Sequence, residues 1–400
     1  MSSDRDSIRD EFRDWLAENW DPALRLRQWR ERLVDSGWAV PSWPREWFGR
    51  ALPVWVDSMV AEEIRRRGAV GLPVGSGISL AAPTIIEHAD DSLKRTLLRA
   101  TLTGDKSWCQ LFSEPGAGSD LASLSASAVR DGDEWVVNGQ KVWNTSAHHA
   151  DYGMLLVRTD PRAAKHDGIT YLVLPMHQPG VEVRPIRQMN RHASFNEVFL
   201  DDARVPLDHV IGAVNDGWRV ARATLAHERS FATMRRPSFT SAERGPAIEE
   251  AEHEANEHFA TYVWYPQRAG RADLVIERAR KNGRTDDPIV RDRICDLVSF
   301  VRVNEWTAQR ARAARALGRP PGPEGSLGKL AASEVARRAH RLHTLIAGAQ
   351  GMVLNDDDDP GVAVVAEVLQ STPAQSIAGG TDEIQRSIIG EKILGLPREP

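Results

Sequence analysis

At 400 residues the chain can hold two or three domains and a buried core that needs no covalent staples. Its 51 Lys+Arg and 56 Asp+Glu leave a formal charge of −5, which gives no electrostatic case for nucleic acid or an anionic membrane, and two cysteines, Cys109 and Cys295, exclude a disulfide scaffold or a cysteine-rich zinc domain. The opening MSSDRDSIRDEF leads into no apolar signal region and no run of 18 apolar residues occurs, so a cytoplasmic protein is expected.

Over residues 1–107, apolar positions three and four apart in FRDWLAENW, PALRLRQWRERLVDSGWAV, PVWVDSMVAEEIRRRGAV and DSLKRTLLRATLTG predict a helical N-terminal domain, broken at Pro41, Pro44, Gly71 and Pro73. Over 108–212 the period falls to two. EWVVNG, YGMLLVRTD, GITYLVLP, VEVRPI and FNEVFLD read as strands, with Asp131-Gly132 and Asn138-Gly139 as turns, so a central β domain is expected. From 213 to 400 the helical period returns in GWRVARATLAHERSFATM, AIEEAEHEANEHFATYVW, the long stretch from Pro288, and SEVARRAHRLHTLIAG. GRPPGPEGSLG, residues 318–328, reads as a loop, and the aspartates of Asn355–Pro360 as a solvated one, since EF-hand spacing is missing. The fold class is α+β and multidomain.

Several chemical motifs fail on spacing. His253 and His258 are i, i+5 and cannot share a helix face as a zinc pair would. The glycines from Gly322 to Lys329 do not make a phosphate loop, Gly75-Ser76-Gly77 lacks the third glycine of a dinucleotide fingerprint, and His148-His149 point in different directions with no third ligand nearby. No metal is expected.

Trp108–Asp120, WCQLFSEPGAGSD, runs from strand-like residues into a loop where glycines let backbone approach a ligand closely. Gln110-Leu-Phe-Ser-Glu-Pro-Gly-Ala-Gly-Ser-Asp120 closely resembles the flavin signature of the acyl-CoA dehydrogenase family, and Asn138-Gly-Gln-Lys-Val-Trp-Asn-Thr145 and Ile377-Ala-Gly-Gly-Thr-Asp-Glu-Ile-Gln-Arg386 agree with it in the same order. The resemblance spans essentially the whole chain. It implies a helical N-terminal domain, a central β-barrel-like domain and a C-terminal four-helix bundle that assembles a tetramer, with FAD between the last two and partly on a neighbouring subunit. It places Gln110, Leu111, Phe112, Ser113, Gly118, Ser119, Trp143, Asn144, Thr145, Thr381 and Glu383 at the cofactor, and Ser119, Gly379 and Gly380 at the CoA thioester. Backbone amides of Phe112 and Ser113, with the Ser113 hydroxyl, would meet the N5/O4 edge of the isoalloxazine, while Trp143 and Thr145 would exclude water from its other side. Thr381 also reads as the N-cap of a last helix.

The family takes a proton from the α-carbon of an acyl-CoA while hydride leaves the β-carbon for the flavin, which needs a carboxylate in a dry pocket. In many members that glutamate directly precedes Gly-Thr; here Gly379 stands in its place. Members resembling the isovaleryl and long-chain enzymes carry the base on another helix, directly before an arginine, as in His227-Glu228-Arg229. On a helical wheel Trp218, Ala221, Leu225, Glu228 and Ala232 share one stripe, so Glu228 lies on an apolar face where an acid is either structurally paired or functional. Glu228 is the expected base, and Arg229 beside it suits the CoA moiety.

Departures from the family pattern are concentrated in the interfacial segment. The expected Arg and Phe-Gly pair is reduced to Arg280-Lys-Asn-Gly-Arg284, so Arg280, Arg284 or Arg291 would reach FAD, with Arg284 taken as the representative. Gly348-Ala-Gln-Gly351 is a partial match, and the stretch from Arg235 to Gly270 is longer than usual. Acyl-CoA dehydrogenation with an electron-transfer flavoprotein as acceptor is the leading expectation, in a homotetramer or an α2β2 assembly. The alternatives are a flavin oxidase or monooxygenase of the same fold, and a subunit that completes a partner's site.

Overall fold

A computed structural model describes residues 2–230, 243–260, 270–316, 322–353 and 360–397. Contacts divide the chain into two compact units: one of 1–187, 193–227 and 236–261, the other of 188–192, 228–235 and 262–400.

The first unit opens with five helices: α1 (Ser2–Asn19), α2 (Leu26–Asp35), α3 (Trp55–Arg67), α4 (Ala82–His88) and α5 (Asp91–Thr103). Local chemistry sets their ends. Asp90 caps α5 by accepting from the Leu93 amide at 2.8 Å, and α3 and α5 stop where Gly68 and Gly104 take the left-handed conformation at φ 73° and 85°. Phe12, Leu16, Trp20, Trp29, Leu33, Trp38, Val56, Met59 and Val60 form their core, in which Trp20 meets Trp29 edge-on at 4.8 Å. The buried Trp29 indole donates to the Val70 carbonyl at 2.6 Å.

Although it follows the β domain in sequence, α7 (Pro246–Ala260) packs Ala247, Ile248 and Ala251 into this same core. Its acidic residues face α2: Glu254 takes a two-pronged bond from Arg30 at 2.6 and 2.9 Å, and Glu250 accepts from the Leu26 amide at 3.0 Å. His253 is left on the outer face. His258 lies half-buried on Gly75, where a Cβ would meet its ring at 3.4 Å.

The central sheet comprises β1 (Trp108–Leu111), β2 (Ser127–Asp131), β3 (Glu134–Thr145), β4 (Tyr152–Arg158), β5 (Ile169–Pro175), β6 (Val181–Ile186) and β7 (Phe195–Pro206), in the order β1-β4-β2-β3-β7-β6 with β5 on β4. β1 runs parallel along Tyr152–Leu155 of β4 and Ser127 of β2 follows it at Arg158, so two short strands share one edge of β4. Met154, Leu156, Tyr171 and Val173 join a core with α4, α5 and α6 (Gly217–Ser230); Leu155, Val157, Leu172 and Leu174 point into a second core inside the sheet. Burial on both faces is why these strands read as unbroken apolar runs.

Asp131-Gly132 is a turn, with Gly132 at φ 60°, but Asn138-Gly139 is not. It lies inside β3 at a register shift opposite β7, with Gly139 at φ 149° and so close to Ala126 that a Cβ would fall 2.5 Å from that residue's Cβ. The Asn138 carboxamide accepts from the Asp202 amide and donates to its carboxylate, which fixes the bulge.

The second unit holds α8 (Ala272–Lys281), α9 (Pro288–Ala316), α10 (Glu324–Ala347), α11 (Pro360–Gln375) and α12 (Asp382–Lys392), with α10 touching each of the others. Val275, Ala279, Val290, Leu297, Val335, Ala339, Leu342 and Ile346 form its core. The loop expected over 318–328 is shorter on its C-terminal side: α10 starts at Glu324 behind Pro323, and Gly325 and Gly328 are helical. Residues 317–321 and 354–359, including the aspartate run, lie outside the described residues. A helical N-terminal domain, a curled central sheet and a C-terminal helical bundle are the architecture expected from the sequence.

His343 of α10 is 1% exposed and accepts from the Arg278 guanidinium of α8 at 3.3 Å; among the described residues its Nε2 has no partner. Burial, then the charges of Arg278 and His340, pushes its pKa down from 6.5 to about 4. The unfolded chain therefore binds a proton that the folded chain refuses between those values, and stability falls as pH drops from 6.5 towards 4. The loss amounts to about 3 kcal/mol. His343→Leu is expected to flatten the pH 7-to-5 drop in melting temperature. An equally steep drop in the variant would place the acid sensitivity elsewhere.

Candidate active site

In the first unit, the sequence-predicted flavin residues of β1 and β3 converge. Three carbonyls of the β1 exit are drawn towards β3: Gln110 O accepts from the Asn144 carboxamide at 2.7 Å, Phe112 O from Lys141 Nζ at 3.1 Å, and Ser113 O from the Val142 amide at 2.9 Å. The Leu111 and Phe112 side chains are buried, and the Phe112 ring lies edge-on to Tyr171 at 5.7 Å, so Phe112 offers a ligand only its backbone. Among the described residues, the N–H groups of Phe112 and Ser113 donate to no acceptor, and the Asn144 Oδ1 is buried without a partner.

Trp143 is held at φ 65°, 57% exposed as a residue, with the Phe195 ring edge-on to its own at 5.9 Å. A left-handed backbone at a bulky residue costs free energy, and such strain collects at functional sites. The register shift between Lys141 and Asn144 enforces it, and Asn196 braces the turn by donating to Asn144 O at 2.8 Å. Thr145 follows, half-buried. Beyond Ser113, Glu114 and Ala117 exchange both backbone bonds, leaving Gly118 and Ser119 exposed. A Cβ on Gly118 would meet nothing within 4 Å among the described residues, so this glycine faces open space.

Behind this edge sits an ion pair that the sequence reading passed over. Lys141 is fully buried and Glu114 nearly so, with Nζ 2.8 Å from Oε1. The carboxylate also accepts from the Ser125 amide and hydroxyl, both at 2.7 Å, and from the Ala126 amide at 2.9 Å. Burial pushes the Glu114 carboxyl up, but the Lys141 charge and these bonds outweigh it and hold it below the usual range; burial pulls Lys141 down to about 8 against the pull of Glu114. At neutral pH both are charged. The signal in sequence was alternation: carrying the inward positions Trp135 and Val137 forward along β3 reaches Lys141.

On α6, Val220, Ala221 and Thr224 are buried and Trp218 and Leu225 pack against the same core, so the predicted stripe is largely present. Glu228, in the second unit, is half-buried. A Cβ added at Gly379 would lie 3.7 Å from Glu228 Oε1. The two positions weighed for a base in the sequence are therefore neighbours in space. The Arg229 side chain and Ala232 lie outside the described residues.

Gly379 and Gly380 have φ of 67° and 86°, and their carbonyls accept from Gln385 Nε2 at 3.0 and 3.4 Å. Thr381 caps α12 through its hydroxyl and the Ile384 amide, at 3.3 Å. Glu383 is exposed and reaches Arg386; the adjacent Asp382 is the buried acid, bound to Lys329 at 3.1 Å and Arg337 at 2.6 Å. Arg284, in the α8–α9 connection, is engaged by Asp287 at 2.7 Å, and Arg280 and Arg291 are exposed.

A helical N-terminal domain, a curled sheet and a C-terminal helical bundle thus follow one another in this chain. Family models for the acyl-CoA dehydrogenase N-terminal, middle and C-terminal domains match residues 2–105, 109–203 and 247–394. The chain belongs to the acyl-CoA dehydrogenase family. It is 35% identical to the acyl-CoA dehydrogenase IpdE1 of Mycobacterium tuberculosis over 99% of both chains. Among solved structures, the Tcur3481-Tcur3483 steroid ACAD is similar with a TM-score of 0.69 and 25% identity over 98% of each chain. The ChsE4-ChsE5 complex from Mycobacterium tuberculosis is similar with a TM-score of 0.67 and 27% identity over 99% of this chain and 98% of that one.

Proposed function

We propose that this protein is an FAD-dependent dehydrogenase that desaturates an acyl-CoA thioester between its α- and β-carbons. The observation that carries the reading is the braced β1–β3 edge, where uncommitted amides of Phe112 and Ser113 lie next to the strained, exposed Trp143. Phe112, Ser113, Trp143 and Thr145 would hold the isoalloxazine, and Gly118 and Ser119 would lie along the cofactor and the CoA. Thr381 would present the N-terminus of α12 to an anionic group. When bound, FAD supplies the acceptor for the hydride that leaves the β-carbon.

Glu228 takes the α-proton on its carboxylate. Gly379 lies beside that carboxylate, where a Cβ would be in ordinary van der Waals contact with Oε1 at 3.7 Å. Electrons would leave through an electron-transfer flavoprotein. Two of the similar structures each pair two named chains, and one is a steroid ACAD. We therefore favour a steroid-type acyl-CoA and an α2β2 assembly over a homotetramer.

The purified protein, alone or co-expressed with a homologous chain, is expected to bind FAD non-covalently and to be bleached anaerobically by acyl-CoA thioesters. A preparation that stays colourless after reconstitution in both states would sink the reading. Oxygen-dependent turnover would favour an oxidase, and denaturing mass spectrometry of the isolated oligomer, showing one chain or two, distinguishes the two assemblies.

A further inference from the structure

We propose that the buried Lys141–Glu114 pair is a positioning device that orients and strengthens the Ser113 N–H as a donor to the flavin. The proposal rests on the flavin reading above.

A buried ion pair is poor evidence of stabilisation, since apolar replacements of similar volume are often neutral or better. Its geometry here does something more specific. Glu114 receives three bonds from Ser125 and Ala126 at 2.7–2.9 Å, which fix the carboxylate in place. Lys141 is anchored to it at 2.8 Å and directs a further proton to the Phe112 carbonyl at 3.1 Å. That carbonyl and the Ser113 N–H belong to one amide. A trans peptide points its C=O and N–H in opposite directions, so drawing Phe112 O inward to the ammonium aims the Ser113 N–H away from it. A charge-assisted bond to the carbonyl also polarises the amide, and hydrogen bonds in a chain reinforce one another. The Val142–Ser113 and Asn144–Gln110 bonds tie the chain on either side of this amide to β3 and so hold its orientation.

A stronger donor at the flavin edge favours the reduced, more electron-rich ring. The pair therefore tunes the cofactor's potential through one peptide group, without touching the cofactor.

The test compares wild type with Lys141→Met/Glu114→Gln, which removes both charges and so leaves no uncompensated ion. Circular dichroism and thermal melting of the apoprotein report the fold; titration with FAD and spectroelectrochemistry report the site. The folded variant is expected to bind reduced FAD about tenfold more weakly relative to oxidised FAD, a midpoint potential about 30 mV more negative. A folded variant whose potential matches wild type would overturn the proposal. A variant that cannot fold would also overturn it, because the pair would then be holding the domain together. Wild type that never binds FAD would instead remove the reading beneath it, which distinguishes the two failures.

Discussion

Glu228→Gln is expected to slow reduction of the bound flavin by acyl-CoA by roughly 10²–10⁴-fold, the usual contribution of a positioned general base. FAD and thioester binding should persist, because Gln keeps the shape and polarity of Glu and loses only the capacity to accept a proton. Stopped-flow absorbance under anaerobic conditions separates the two effects. Gly379→Glu in the same background provides the complement: a Cβ at 379 would lie 3.7 Å from Glu228 Oε1, so a carboxylate grown from there reaches the same neighbourhood. Recovery should be partial, since Gly379 has φ 67° and a side chain in that conformation costs about 1–2 kcal/mol. Undiminished reduction in Glu228→Gln alone would end the assignment and turn attention to a partner chain as the source of the base.

What was legible in the sequence followed periodicity, and what was hidden followed long-range partner choice. The strands of GITYLVLP and YGMLLVRTD were readable because both faces are buried, and the α6 stripe because Trp218, Ala221 and Leu225 recur at helical spacing. Asn138-Gly139 misled because a glycine is needed there for the close approach of Ala126 rather than for a turn, and the bulge beside it is carried by Asp202 of β7. An amphipathic helix announces that it has an apolar face but not what covers it, so nothing in α7 itself indicated the tryptophan-rich core of α1–α3. Neighbouring residues on a helix lie about 100° apart, so Asp382 and Glu383 were indistinguishable as acids at a helix start. Only the positions of Lys329 and Arg337 show that the first is the buried one. Lys141 and Glu114 are 27 positions apart, with the β2–β3 hairpin between them.

Asp382→Ala is expected to destabilise the second unit by about 3 kcal/mol, because it leaves two cations facing each other without their shared acid. The Asp382 side chain is 4% exposed and Lys329 11%, whereas Arg337 at 25% retains some solvent, so the low end of the range for a broken buried pair applies. Burial pushes the Asp382 carboxyl up, but bonds from Arg337, Ser333 and Lys329 prevail and bring it down to about 2 from 3.8. A depressed carboxylate contributes its stability above the unfolded value and loses it as pH falls through the folded one. The gap between wild type and variant should thus be full at neutral pH and shrink below about pH 3.8, towards 2. The consequence for the site is local. Arg337 also donates to the Ser376 hydroxyl at 2.7 Å and the Asp382 amide to Ser376 O at 3.0 Å, so this cluster staples both ends of the Ile377–Thr381 loop. Once the acid is lost, the loop keeps its backbone bonds and the Gln385 bond to Gly379 but loses the carboxylate that fixes Arg337 beside Ser376. Amide exchange over 377–381 should accelerate in Asp382→Ala at temperatures where the rest of the unit is still folded. Exchange that stays slow there, with melting unchanged, would show that the capped α12 carries the loop without the cluster.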